Sequence, residues 1–130
     1  GCGNGVILKK IFKKKKIKNY LGTDFVKELI DYCRSRFLLK NISFQTLDMT
    51  SINKSTFSEK YDYIISKRAI QNILSHKLQL KVIDNSGYFL KKNGLMILIE
   101  SSATAQKNIN DFLSINNERL ISAVFPIKRL

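Results

Sequence analysis

At 130 residues and 44% apolar, the chain is long enough for one domain with its own core and too hydrophobic to be disordered overall. Its formal charge of +13 favours anionic partners, yet lysine far outnumbers arginine, and bidentate recognition of phosphate would favour arginine. No apolar run approaches the roughly 18 residues of a membrane span, and the basic run Lys13–Lys16 follows the first apolar residues instead of preceding them, unlike a signal peptide.

The chain opens on Gly1-Cys2-Gly3-Asn4-Gly5. From Val6 to about Lys16, apolar residues at 7, 8, 11 and 12 have helical spacing. The lysines at 9, 10, 13–16 and 18 form either the solvated side of that helix or an anion-binding patch. Residues 17–23 suit a buried strand that runs out to Asp24, the first acid of the chain. From Phe25 to about Leu39, positions 26, 29, 30, 33 and 37 mark one helix face. A short strand at 42–44 leads to a loop holding Asp48, and the polar stretch 50–56 is loop with room for one helical turn.

Residues 61–65 read as the next strand. Segment 76–91 reads as a helix ended by the turn chemistry of Asn93-Gly94, and the continuous apolar run 95–99 suits a parallel strand covered on both faces. Residues 104–121 suit one more helix, and Val124-Phe125 the start of a strand before Pro126. This alternation predicts an α/β fold with a doubly wound, mostly parallel sheet and one domain over 1–130. Cys2 and Cys33 lack metal-ligand spacing and read as free thiols of a reducing, cytoplasmic compartment, Cys33 as a core residue on a helix face. The lone His76 falls near a helix start, where a surface or capping role suits it better than general-base work.

Glycines let a loop turn tightly and approach a ligand, and a helix start just after them favours an anion. An acid about 20 residues later, ending a second strand, is placed for two ribose hydroxyls. A dinucleotide loop would carry its third glycine one position later, where Val6 stands, and no G-K-S/T follows. Asp48 after a third strand, with Met49 to stack on a base, strengthens the case for a nucleoside laid across strand ends. A glycine loop of this kind is expected to follow a strand. The chain therefore reads as a fragment whose first strand lies before Gly1, or one whose gap a partner chain or second copy fills.

These motifs resemble, in order and spacing over about residues 1–100, those of the class I S-adenosylmethionine-dependent methyltransferases. Gly1-Cys2-Gly3-Asn4-Gly5 is similar to the glycine-rich first motif, and Leu21-Gly22-Thr23-Asp24-Phe25 to the second-strand motif whose acid holds the ribose. Thr46-Leu47-Asp48-Met49 resembles the acidic motif beside the adenine, and Tyr61-Asp62-Tyr63-Ile64-Ile65-Ser66 the fourth-strand motif facing the methyl group. Phe89-Leu90-Lys91-Lys92-Asn93-Gly94 is similar to the family's L-K-P-G-G turn, with Lys92-Asn93 where Pro-Gly is commoner. The resemblance implies a Rossmann-like enzyme with S-adenosyl-L-methionine as cofactor. The implied cofactor-binding residues are Gly1, Cys2, Gly3, Asn4, Gly5, Asp24, Phe25, Asp48, Met49 and Ser66.

Methyl transfer from a sulfonium needs positioning more than a metal, and the sequence offers no metal cluster. Acceptor-side candidates are Ser66, Lys67, Arg68 and Asn72, with Arg68 either holding an anionic substrate or standing as a solvated loop residue, and Glu100 either touching substrate or capping the segment that follows it. Where nucleic-acid amino-methyltransferases carry N/D-P-P-Y/F/W, this chain reads Ser66-Lys67-Arg68-Ala69, which favours a small-molecule acceptor. Arg68 to Asn72 also resembles the R-x-x-x-N of a bacterial branch associated with sugar or surface-polysaccharide genes. RNA methylation, suggested by the charge, and a non-catalytic binding or scaffold module are the alternatives.

Overall fold

The computed structural model describes residues 1–12 and 18–101, without the side chain of Phe12. The expected helix at 104–121, the strand at Val124-Phe125 and the lysines 13–16 lie outside the described residues. The chain divides into two compact units, Gly1–Ser58 and Glu59–Leu130.

The first unit holds helix α1 (Val6–Phe12), strand β1 (Tyr20–Asp24), helix α2 (Lys27–Arg36), strand β2 (Ile42–Thr46) and a 3-10 turn at Met49–Ser51. β1 and β2 pair in parallel, from Tyr20 opposite Ile42 to Asp24 opposite Thr46. Parallel neighbours need a crossover, and α2 supplies it. Ile30 and Cys33 on α2 are fully buried and form the core with Leu8 and Phe44, flanked by Cys2, Tyr20, Phe37 and Ile42. The Phe44 ring lies 6.0 Å from Tyr20 and 5.7 Å from Phe37 between centroids. The Arg34 guanidinium fixes the edge of this packing, donating to the Phe44 carbonyl from Nε (3.1 Å) and Nη2 (2.8 Å).

α2 is shorter than its apolar spacing suggests. It starts at Lys27, not Phe25, because the Asp24 carboxylate holds the Val26 N–H and keeps Val26 extended. It stops at Arg36, not Leu39, where Phe37 leaves helical geometry to pack beneath the glycine loop. Gly5 has a φ of +76°, and a Cβ there would lie 2.7 Å from Phe37 Cε2 and 3.4 Å from Cys33 Sγ. The glycine is thus required twice, by its backbone and by the ring packed against it.

The second unit holds β3 (Tyr61–Lys67), a 3-10 turn (Ile70–Asn72), α3 (His76–Gly87) and β4 (Leu90–Ile99). β3 and β4 are parallel, in register from Tyr63 opposite Leu95 to Lys67 opposite Ile99. The Ser75 hydroxyl caps α3 by accepting from the Leu78 N–H at 3.3 Å, and His76 is the exposed first residue of the helix. Asn93-Gly94 does not end this helix. α3 closes at Gly87, Phe89 is buried, and the Phe89 carbonyl accepts from the Tyr61 N–H at 2.7 Å, so the sheet begins five residues earlier than expected from the apolar run. The turn chemistry instead makes a bulge inside the ladder, where β4 advances from Leu90 to Leu95 while β3 advances from Tyr61 to Tyr63.

The apolar run 95–99 is a parallel strand. Among the described residues β4 has one strand neighbour, β3, and one helix against it, α3, so Leu95 and Ile99 stay about half exposed. Among the described residues no helix is long and apolar enough to cross a membrane.

The two positive-φ glycines of the loop predict different penalties. Gly5→Ala should destabilise the chain by about 2–3 kcal/mol, since backbone strain adds to a clash with Phe37. Gly3→Ala, also at positive φ but with nothing within 4 Å of the added Cβ, should cost about 1 kcal/mol. Urea unfolding midpoints check this, and equal penalties would mean that Phe37 does not press on Gly5.

Candidate functional site

In the first unit the residues singled out from the sequence gather at the carboxyl ends of β1 and β2. Asp24 ends β1 and is buried. Its Oδ2 accepts from the Gly3 N–H at 2.9 Å and its Oδ1 from the Val26 N–H at 3.1 Å. The loop is further fixed to β1 by the Cys2 N–H, which donates to the Thr23 carbonyl at 2.8 Å, and it closes on itself through Gly5 N–H to Cys2 O at 3.1 Å. The Asp24 carbonyl accepts from the Leu47 N–H at 2.8 Å, which brings the Asp48 loop to the same place.

Asp48 caps the 3-10 turn. Its Oδ1 accepts from both the N–H and the hydroxyl of Thr50, each at 2.8 Å, while Oδ2 makes no hydrogen bond to a described residue. Met49 is half-buried, Phe25 is largely exposed beside Asp24, and Gly1 and Asn4 are exposed.

This set fits a nucleoside cofactor. A carboxylate has about four lone-pair sites, and Asp24 spends two on backbone N–H groups, so each oxygen keeps one for a hydroxyl donor. The Cβ direction of Gly3 opens onto free space.

Cys2 differs from its loop neighbours because its side chain packs against the core. Both thiols point at one carbonyl, Gly3 O, with Cys33 Sγ at 3.3 Å and Cys2 Sγ at 3.7 Å. Burial pushes the Cys2 thiol up to about 11, helped by the neighbouring Cys33 and Asp24, and burial likewise raises Cys33. Neither is a thiolate nucleophile near neutral pH.

In the second unit, Ser66, Arg68, Asn72 and Glu100 gather at the carboxyl ends of β3 and β4. Glu100 acts as a cap for the turn Ile70–Asn72. Its Oε1 accepts from the Ser66 hydroxyl at 2.7 Å and from the N–H groups of Ala69 and Ile70, both at 3.3 Å, and its Oε2 accepts from the Gln71 N–H at 3.2 Å. Gln71 Oε1 in turn accepts from the Ser101 N–H at 2.7 Å. Asn72 Nδ2 donates to the Arg68 carbonyl at 3.1 Å. Ser66 and Asn72 are therefore engaged in holding the turn, and Arg68 is exposed.

Sequence reasoning left Gln71 out and left the role of Glu100 open. The usable signal was register: with Lys67 opposite Ile99, the residue after Ile99 emerges beside the chain leaving β3. Among the described residues no three His, Cys, Asp or Glu side chains are grouped to hold a metal.

Together, parallel strands joined through helices, a positive-φ glycine loop and acids at strand ends define an α/β protein of the Rossmann-like class. The chain belongs to the class I S-adenosylmethionine-dependent methyltransferases: residues 1–124 match the family described as "Methyltransferase domain". A malonyl-[acyl-carrier protein] O-methyltransferase from Acetivibrio thermocellus is 31% identical over 71 residues, which are 55% of this chain and 24% of that protein. The match thus spans about a quarter of the relative's length.

Among solved structures, the plantazolicin methyltransferase BpumL superimposes with a TM-score of 0.69 at 18% identity, over 95% of this chain and 42% of its own. The N-methyltransferase NodS from Bradyrhizobium japonicum gives 0.70 at 17% identity, over 83% and 58%. An amino pentose methyltransferase from Micromonospora echinaspora gives 0.67 at 15% identity, over 80% and 42%. At these identities the likeness establishes the fold.

Two predictions follow from the geometry of the two edges. Glu100→Gln should lower the unfolding free energy by roughly 1–3 kcal/mol, because an amide cannot accept from all four donors that now meet the carboxylate; an unchanged urea midpoint would mean the cap does not form. Raising Cys2 from 9.0 to about 11 leaves roughly a hundredfold less thiolate at pH 8, so iodoacetamide should alkylate it about that much more slowly than an unfolded cysteine. Because the folded value is the higher one, this burial is fully favourable below pH 9 and its contribution is lost as pH rises towards 11. Alkylation at the rate of a free thiol would show that Cys2 is not buried.

Proposed function

We propose that the chain binds S-adenosyl-L-methionine and serves methyl transfer to a small-molecule acceptor, as the cofactor-binding part of an enzyme. The carrying observation is Asp24, a buried carboxylate that shapes the glycine loop and still keeps an acceptor site on each oxygen. In this reading Asp24 accepts from the two ribose hydroxyls, and the loop from Gly1 to Gly5 lies along the cofactor with Gly3 at the point of closest approach. Asp48 Oδ2 accepts from the exocyclic amine, and Met49 and Phe25 offer apolar surface to the base. Bound, the cofactor would supply a methyl group already activated on a sulfonium. The protein's part is to bind, orient and exclude water.

Two of the similar proteins support the acceptor class by what their names say of them: one is a plantazolicin methyltransferase and one an amino pentose methyltransferase. Together with the R-x-x-x-N spelling of Arg68 to Asn72, this supports a small polar metabolite, with sugar or surface-polysaccharide chemistry as the finer reading and the cytoplasm as the place of action. RNA is the second reading, favoured by the charge of +13. Phosphate contacts would make RNA binding fall steeply with salt.

Calorimetric titration of the full chain with S-adenosylmethionine and with NAD tests the cofactor. Saturable binding of the first alone is expected, and NAD binding without S-adenosylmethionine binding would overturn the reading. Asp24→Ala should weaken S-adenosylmethionine binding by roughly 10- to 150-fold, the equivalent of about 1.5–3 kcal/mol for lost charge-assisted bonds.

A further inference from the structure

Arg68 stands apart from every other residue at the second unit's carboxyl edge. It is the one non-glycine residue in the left-handed region among the described residues, with φ at +53°. An arginine gains nothing locally from that conformation, and glycine or asparagine would adopt it at lower cost. The surroundings hold it there from both sides. Its N–H donates to the Ile99 carbonyl at 2.8 Å, its carbonyl accepts from Asn72 Nδ2 at 3.1 Å, and the next three N–H groups are fixed on the Glu100 carboxylate. Strain that is fixed in this way at a strand end is characteristic of functional positions.

Among the described residues the Arg68 guanidinium has neither an ion-pair nor a hydrogen-bond partner, and the side chain is exposed. Glu100, the acid at the same strand edge, already receives four donors, and no ion pair to Arg68 forms among the described residues. The adjacent Lys67 adds positive charge. A planar fork of donors, on a backbone that cannot drift, at the end of a parallel strand where α/β folds bind ligands, matches a planar or tetrahedral oxyanion.

We propose that Arg68 is a specificity-determining residue that selects an acceptor carrying a carboxylate or phosphate group. This rests on the methyl-transfer reading for the word acceptor, but not for the anion site itself. The backbone ties fix where the side chain leaves the chain, at the carboxyl end of β3 beside Lys67, and the anion itself orders the guanidinium.

The test is an NMR titration of the full chain, following arginine Nε–Hε signals, with malonate and inorganic phosphate as probes. The Arg68 signal is assigned by its loss in Arg68→Gln. A saturable shift of that signal with either probe is expected, and the better probe tells carboxylate from phosphate. Arg68→Gln and Arg68→Gly should each weaken the probe by roughly tenfold or more, whereas Arg36→Gln, at an exposed arginine of the first unit, should not. Arg68→Gly should also raise the melting temperature by relieving the left-handed strain, which separates lost recognition from lost folding.

No saturable shift, or equal probe affinity in wild type and both Arg68 variants, overturns the proposal. Displacement of phosphate by oligouridylate at micromolar concentration in about 150 mM salt would assign Arg68 to RNA and overturn the small-molecule acceptor. S-adenosylmethionine binding is measured in parallel. Its absence beside intact anion binding at Arg68 would sink the methyl-transfer reading alone, and its presence beside absent anion binding would sink the Arg68 proposal alone.

Discussion

The first unit depends on one buried charge. Asp24 is nearly enclosed at the end of β1, and a carboxylate in that position must be met by donors or it would cost several kcal/mol. The donors it finds are the N–H of Gly3 and the N–H of Val26. The first shapes the loop, and the second sets where α2 begins. Once the start of α2 is fixed, so is its phase, and Ile30 and Cys33 fall on the core side. Cys33 then lies under the Gly3 carbonyl, and Phe37 under Gly5. Loop shape, helix phase and core packing are therefore one coupled arrangement with a single carboxylate at its hinge.

The second unit places an acid at an equivalent point, a strand's carboxyl end, with the opposite outcome. Glu100 meets four donors, three of them at Oε1. With about four acceptor sites to a carboxylate, little capacity is left for a ligand. Asp24 meets two donors, one on each oxygen, and keeps half of its capacity. The same functional group is thus a ligand-binding candidate in one unit and a structural cap in the other. The count of donors, not the residue type, makes the difference.

That distinction marks what the sequence could and could not convey. Periodicity located α2 and α3 and the four strands, because apolar spacing reports which faces are buried. The glycine spelling and the two acids pointed to the edge where the loop, Asp24 and Asp48 come together, because tight turns and strand-end charges leave their mark in residue type. Ends of elements were less legible. The capping of Val26 by Asp24 and the departure of Phe37 are tertiary events, so neither end of α2 could be read from its own residues. Asn93-Gly94 carries turn chemistry that serves a helix end or a bulge equally well, and only the pairing of Tyr61 with Leu90 decides between them. The roles of Ser66 and Asn72, and the left-handed backbone of Arg68, depend on partners that lie 34 residues away for Ser66, four for Asn72 and, for the Arg68 N–H, at Ile99.

The charge balance completes the picture. The sequence has 23 basic and 10 acidic residues, and three of the acids, Asp24, Asp48 and Glu100, are spent on Gly3, Val26, Thr50 and the turn after Arg68. The ion pairs Lys27–Asp31, Arg34–Asp31 and Lys91–Asp62 are exposed and contribute little each. Most cations consequently add to a diffuse positive field that salt screens within about 8–10 Å. Such a field attracts any anion and distinguishes none. Discrimination needs a cation anchored at one place on the fold, and the backbone ties around Arg68 anchor its Cα at the carboxyl end of β3, where among the described residues its guanidinium has no hydrogen-bond or ion-pair partner.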